Sequence, residues 1–154
     1  MRRVILYFAL FFGLLAFAVA PARALFHLMV IDEIYAGHAG APDAHYVMLR
    51  MTFSGQNLVG GHSITTFFPD GTPGPVFGTF PTSVPNGTSG ARILMATQEA
   101  FDFFGITPDH ITAGRLPFPS GRICFSSESI DCVAYGDFTG SNGFYGSPAV
   151  AGEG

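Results

Sequence analysis

The chain has 154 residues, with twenty glycines, eleven prolines, seven arginines, no lysine and eleven acids. Glycine and proline make up a fifth of it and charged residues only 12%, which excludes a helical bundle or coiled coil rich in Lys, Glu and Gln. A hydrophobic share of 48% with seventeen phenylalanines excludes disorder throughout, and two cysteines exclude both a disulfide-dense miniprotein and a four-cysteine zinc site.

Arg2 and Arg3 precede an apolar run over residues 4–20, and Pro21-Ala22-Arg23-Ala24 follow. A basic start, an apolar centre and an Ala-x-Ala ending are the three parts of a cleavable signal peptide, so residues 1–24 are expected to be removed on export. The rival reading is a retained anchor. Seventeen residues lie at the short limit for crossing a bilayer, and Pro21 suits peptidase access better than a continuing helix. Cleavage would leave four arginines against eleven acids, a formal charge of −7, with no stable membrane span. Arg50, Arg92, Arg115 and Arg122 are scattered along the chain, so nucleic acid is excluded as an expected partner and anionic headgroups are disfavoured.

Residues 26–35 (FHLMVIDEIY) predict a strand, residues 37–43 a loop, and residues 45–53 (HYVMLRMTF) a second strand. Alternation in the second puts Val47, Leu49, Met51 and Phe53 on the core face, with Tyr46, Met48, Arg50 and Thr52 opposite. Residues 62–68 (HSITTFF) predict strand three, closed by the turn Pro69-Asp70-Gly71. A short strand at 76–80, a turn at 85–88 and a buried strand at 91–97 follow. Residues 97–105 carry the clear helical signal, with Thr97 as cap and Gly105 as stop. Thr107-Pro108-Asp109 resembles the start of a second helix reaching about Ala113.

Residues 121–125 and 130–135 predict two strands that place Cys124 and Cys132 eight positions apart across a polar turn. In an oxidising compartment these two form a disulfide; two buried free thiols are the alternative. After about residue 138 glycine dominates and apolar periodicity ends. Residues 139–154 are therefore expected to be a poorly ordered tail or the start of a linker. Six or seven short strands with turn signals between them indicate an all-β antiparallel sandwich or barrel over residues 25–138.

The run MVIDEIYAG, a short loop, and HYVMLRMTFSGQNLVGGHSITTFFPDG resemble the opening of a lamin-tail-like domain of secreted bacterial proteins. Glu33 matches the acidic end of the first strand, residues 46–49 the second strand, and residues 58–61 the turn. ARILMATQEAFDFFGITPDH and GRICF resemble later parts of the module, so the likeness covers residues 26–136. It implies an immunoglobulin-like β-sandwich serving as an accessory or tethering module. Met48 stands where the family commonly has Glu.

For function, Asp32 and Glu33 are the first candidates. On a regular strand they point to opposite faces and cannot act as paired catalytic carboxylates. One of them must face inward or lie at the strand's rim, an inward carboxylate being held by turn amides, with calcium ligation and plain solvent exposure as the alternatives. Glu33, the acidic position that the resemblance matches, is the expected structural acidic anchor. His38, Asp43, His45 and His62 are the residues from which a zinc or copper site could be assembled, although their spacing fits no strong signature. A serine triad, a thiol nucleophile and a phosphate loop find no motif. Phe67, Phe68, Phe77 and Phe80 form either an exposed docking patch or ordinary loop packing. The expected function is a non-catalytic, secreted or cell-surface binding or structural module without cofactor, facing an unknown protein or cell-envelope partner. The alternative is an extracellular metal-binding protein or metal-dependent hydrolase using the His/Asp loop.

Overall fold

The computed structural model describes residues 26–148, apart from Ser127, Ser129 and the side chain of Phe144. The segment read as a signal peptide and the last six residues lie outside these.

Two four-stranded sheets face each other. Sheet one has the order β1 (Met29–Tyr35), β2 (Tyr46–Met51), β5 (Arg92–Ala96), β6 (His110–Ile111). Sheet two has the order β4 (Gly78–Thr79), β3 (Ser63–Phe67), β7 (Gly121–Phe125), β8 (Asp131–Tyr135). In immunoglobulin lettering, β1-β2-β5 take the places A, B and E, while β4-β3-β7-β8 take C′, C, F and G. The fold is thus the β-sandwich that the sequence indicates, with one departure. The edge strand β6 comes from between E and F and pairs parallel with β5, with Met95 opposite His110.

The core lies between the sheets because β2, β3 and β5 alternate. Val47, Leu49, Met51, Ile64, Ile93 and Met95 are fully buried and meet Ile123, Phe125, Phe77 and Phe80. Phe53 does not join them and is 61% exposed. Pairing ends at Met51, and the next backbone groups bond sideways, Thr52 N–H to Leu28 O and Gly90 N–H to Met51 O, so alternation no longer governs. Phe77 and Phe80 are core residues, which removes them from any exposed aromatic patch.

Both open edges of the sandwich are closed against the other sheet. Asp131 accepts the Ile31 N–H at 2.6 Å, joining β8 to β1, and the Thr112 hydroxyl donates to Phe77 O beside β4.

The helix α1 (Gln98–Phe104) has the predicted ends. Thr97 accepts the Ala100 N–H at 3.2 Å, and Gly105, at φ +64°, donates to Phe101 O. The second expected helix is absent. Asp109 receives the Leu94 N–H on its carboxylate and returns its own N–H to Leu94 O, while Thr112 N–H goes to Ala96 O. The segment satisfies its backbone on β5 rather than on itself.

The chain after Phe138 also differs from expectation. Thr139 and Gly140 donate to Pro69 O, Asn142 is buried, and a 3₁₀ turn (Gly143–Tyr145) packs on β8. Residues 139–146 belong to the domain and cover the outer face of sheet two, which is why all five residues of β7 are buried. Cys124 and Cys132 face each other in the β7–β8 register and are disulfide-bonded.

Candidate functional site

The outer face of sheet one carries a connected set of polar side chains, Asp32, Glu33, Tyr46, Arg50 and Arg92. Its geometry begins with a bulge in β1. Ile31 pairs with Leu49 and Glu33 with Met48, leaving Asp32 as an extra residue. The bulge restores Ile34 to the core side and turns Asp32 and Glu33 to the same outer face, where a regular strand would have separated them. Neither carboxylate reaches the core or a turn amide. Of the two expected placements, inward or at the rim, the inward and amide-held one is corrected: both carboxylates lie exposed on the outer face.

Arg50 and Arg92 lie opposite each other on β2 and β5, a like-charge pair that opposes strand pairing. Asp32 bridges them, accepting Arg50 Nε on Oδ1 at 2.7 Å and Arg92 Nε on Oδ2 at 2.8 Å. These bonds, Arg50 first, hold the Asp32 carboxyl below the usual carboxylate range. One position along, Glu33 accepts the Tyr46 hydroxyl. Burial first, and then this contact, pushes the Tyr46 phenol up.

Further along the same face the surface becomes aromatic. Tyr35 stacks on Tyr46 with centroids 5.7 Å apart, and both meet Phe104 of α1 edge-on. Ala44, Ala96 and Ala100 form a small second core beneath, small enough for the helix to sit close to the sheet. Two shallow grooves, of about 420 and 440 Å3, flank α1. Asp43 lines the first and Arg115 the second, and the two are ion-paired to each other.

The four metal candidates lie in different settings. His38 caps its own turn, accepting Gly40 N–H on Nδ1 at 2.8 Å, and leans on Phe103. Asp43 is engaged by Arg115. His45 is 2% exposed, with its backbone bonded to Thr97 through both N–H and C=O. Burial, then the Arg115 charge, lowers its basicity. His62 belongs to the other sheet's approach, with its ring on Phe26 and Nδ1 3.0 Å from Ser126 Oγ. Among the described residues no three His, Cys, Asp or Glu side chains are grouped to hold a metal ion. The loop site is corrected accordingly: the fold sends the four residues to different partners.

Sequence reasoning missed two features. Ser126, at φ +59°, bonds His62, which places a hydroxyl and an imidazole within reach across 64 positions. No Asp or Glu is bonded to this imidazole among the described residues, so the orienting third member of a triad is not supplied. The second feature is Arg122, which β7 turns outward under the 139–146 segment. Its guanidinium lies 3.9 Å from the Phe67 ring centroid and bonds Glu128 and Ser141 O. No sequence signal distinguishes this arginine from the exposed ones.

In comparison with known proteins, no family model and no curated protein matches the chain.

Proposed function

We propose that the chain is an exported, non-catalytic binding or structural module of the cell surface whose partner meets the outer face of sheet one. The observation that carries this reading is the Asp32–Arg50–Arg92 cluster beside the Tyr35–Tyr46 stack. Asp32 occupies only the Nε atoms, so two guanidinium forks are held in place with their terminal nitrogens available to carboxylates of a protein or cell-envelope partner. Aromatic side chains next to preorganised arginines are the composition of interface hot spots. The disulfide favours an oxidising compartment.

Kinship with lamin-tail-like domains is part of the proposal. It rests on the sequence likeness at Glu33, residues 46–49 and residues 58–61, and a β-sandwich is compatible with it.

The test is co-sedimentation of the purified full chain with cell-envelope preparations. Wild type should bind, and the Arg50→Gln/Arg92→Gln variant should lose binding at least tenfold while its melting transition stays close to that of wild type. Equal binding by both would remove this face from the proposal.

A further inference from the structure

The two ends of the sandwich differ sharply in charge. One end is built from residues 26–28, 52–61 and 81–90. It is knitted together by Thr52 N–H to Leu28 O, Leu28 N–H to Gln56 Oε1, Gly55 N–H to Gly87 O, and a reciprocal contact between Asn57 and Val84. These three segments contain no Asp, Glu or Arg. They instead expose Leu28 (50%), Phe53 (61%) and Leu58 (43%). The acids of the adjoining β7–β8 turn and the start of β8 are engaged inside the domain, Glu128 by Arg122 and Asp131 by the Ile31 N–H. At the opposite end stand Asp43, Asp70, Glu99, Asp102 and Asp137, with Arg115 the cation among them.

The polypeptide also enters the domain at the uncharged end. Phe26, the first described residue, packs there on His62 and Phe125. Only residues 21–25 separate it from the apolar run 4–20, a span of no more than about 20 Å when fully extended. The apolar run 4–20 has seventeen residues, at the short limit for crossing a bilayer. Among the described residues no helix is long and apolar enough to cross a membrane.

We propose that this uncharged end rests on a lipid bilayer in which the N-terminal apolar run is held, with Leu28, Phe53 and Leu58 entering the interface. The inference rests on the export reading and narrows it to a chain kept at the membrane surface. The apolar side chains supply the attraction, since each one fully withdrawn from water favours the lipid by roughly tenfold or more. The acid-rich opposite end, including α1 and its flanking grooves, is then presented away from the membrane.

The protein has no tryptophan, so Phe53→Trp in the full chain introduces a single indole at the tip. Phe118→Trp, at a residue 64% exposed at the other end, is the control. In vesicles of phosphatidylcholine, the Phe53→Trp emission should shift to the blue and be quenched by brominated acyl chains. The Phe118→Trp emission should stay water-like and be quenched by aqueous iodide. Adding Leu28→Asp and Leu58→Asp to Phe53→Trp should abolish the shift with the circular dichroism spectrum unchanged. Two water-like indoles, or two shifted ones, would overturn the proposal. So would a shifted Phe53→Trp insensitive to brominated lipid, which would assign the tip to a protein contact. An intact mass for the natural membrane-fraction chain lacking residues 1–24 would also overturn it. The export reading fails separately, if Cys124 and Cys132 are alkylated as free thiols in cells.

Discussion

On the outer face of sheet one, Arg50 and Arg92 stand side by side in solvent and share one carboxylate. On the outer face of sheet two, Arg122 lies under the chain between two phenylalanines. The first arrangement depends on a local irregularity, the extra residue in β1 that brings Asp32 to the arginines. The second depends on distant chain, because Ser141 O accepts one nitrogen and Phe138 lies 5.9 Å from the guanidinium. The comparison separates two uses of the same side chain. An exposed guanidinium adds little to stability and stays available to partners, whereas a covered one ties segments together.

The strongest way to break the comparison is at Arg122, whose side chain is 8% exposed while that of Glu128 is 60% exposed. Arg122→Ala removes the aromatic contact and the bond to Ser141 O, and should cost about 3 kcal/mol in urea denaturation. Residues 139–146 should become the first site of limited proteolysis. Arg122→Met should recover about half of the loss by keeping the packing on Phe67. Glu128→Gln should cost under about 1 kcal/mol, since its end of the pair is solvated. If Arg122→Ala leaves the C-terminal segment protected, the arginine does not hold that cover in place.

The disulfide tests the same covered face by covalent means. Cys124→Ala/Cys132→Ala opens a loop of eight positions and should cost about 2.5 kcal/mol by chain entropy. Urea melts of variant and wild type measure it. The bond lies within sheet two rather than between the sheets, so the variant should keep the core arrangement and the Tyr35–Tyr46 face unchanged by near-ultraviolet circular dichroism.

Much of this contrast was legible before any coordinates, and the missing parts have a physical reason. Alternation placed Val47, Leu49 and Met51 in the core and Arg50 outside, because period two is fixed by the pleat. The cap and stop at Thr97 and Gly105 delimited α1, and the turn between Cys124 and Cys132 implied their pairing. What alternation cannot contain is its own interruption. The bulge at Asp32 shifts every later residue of β1 by one, so the argument that separated Asp32 from Glu33 failed at the residue where it was applied. The cover on sheet two was hidden for another reason. Glycine-rich residues 139–146 carry no apolar period, and they are held by backbone carbonyls and turns that composition does not encode. The histidines dispersed because each was claimed by a near neighbour, His38 by Gly40 and His62 by Ser126.

His45 sharpens the comparison at the join between sheet one and its partial cover, α1. Its imidazole is buried, and Asp43, Glu99 and Arg115 surround it, with burial and Arg115 together favouring the neutral form. The folded state therefore binds a proton less readily than the unfolded state. Stability is full above the unfolded value of about 6.5 and falls as pH drops below it, by at most about 1.4 kcal/mol per pH unit. Melts of wild type and His45→Gln between pH 7.5 and 5.5 should diverge, with the variant flatter. Parallel curves would mean that the join does not respond to this proton.

The smallest expected effect concerns the exposed cluster, where it decides most about function. Asp32→Ala leaves Arg50 and Arg92 facing each other without a bridge, so the cost is the lost attraction plus the exposed like-charge repulsion. Solvent screening keeps the sum below about 1 kcal/mol, and it should shrink further as salt rises. Replacing Arg50 by Leu in the same chain removes the repulsion and should return most of the loss, which a double-mutant cycle of melts would read. A loss well above this range, insensitive to salt, would show that the bulge needs the Asp32 carboxylate to form at all. The cluster would then be a structural pin like Arg122 rather than a surface held ready for a partner.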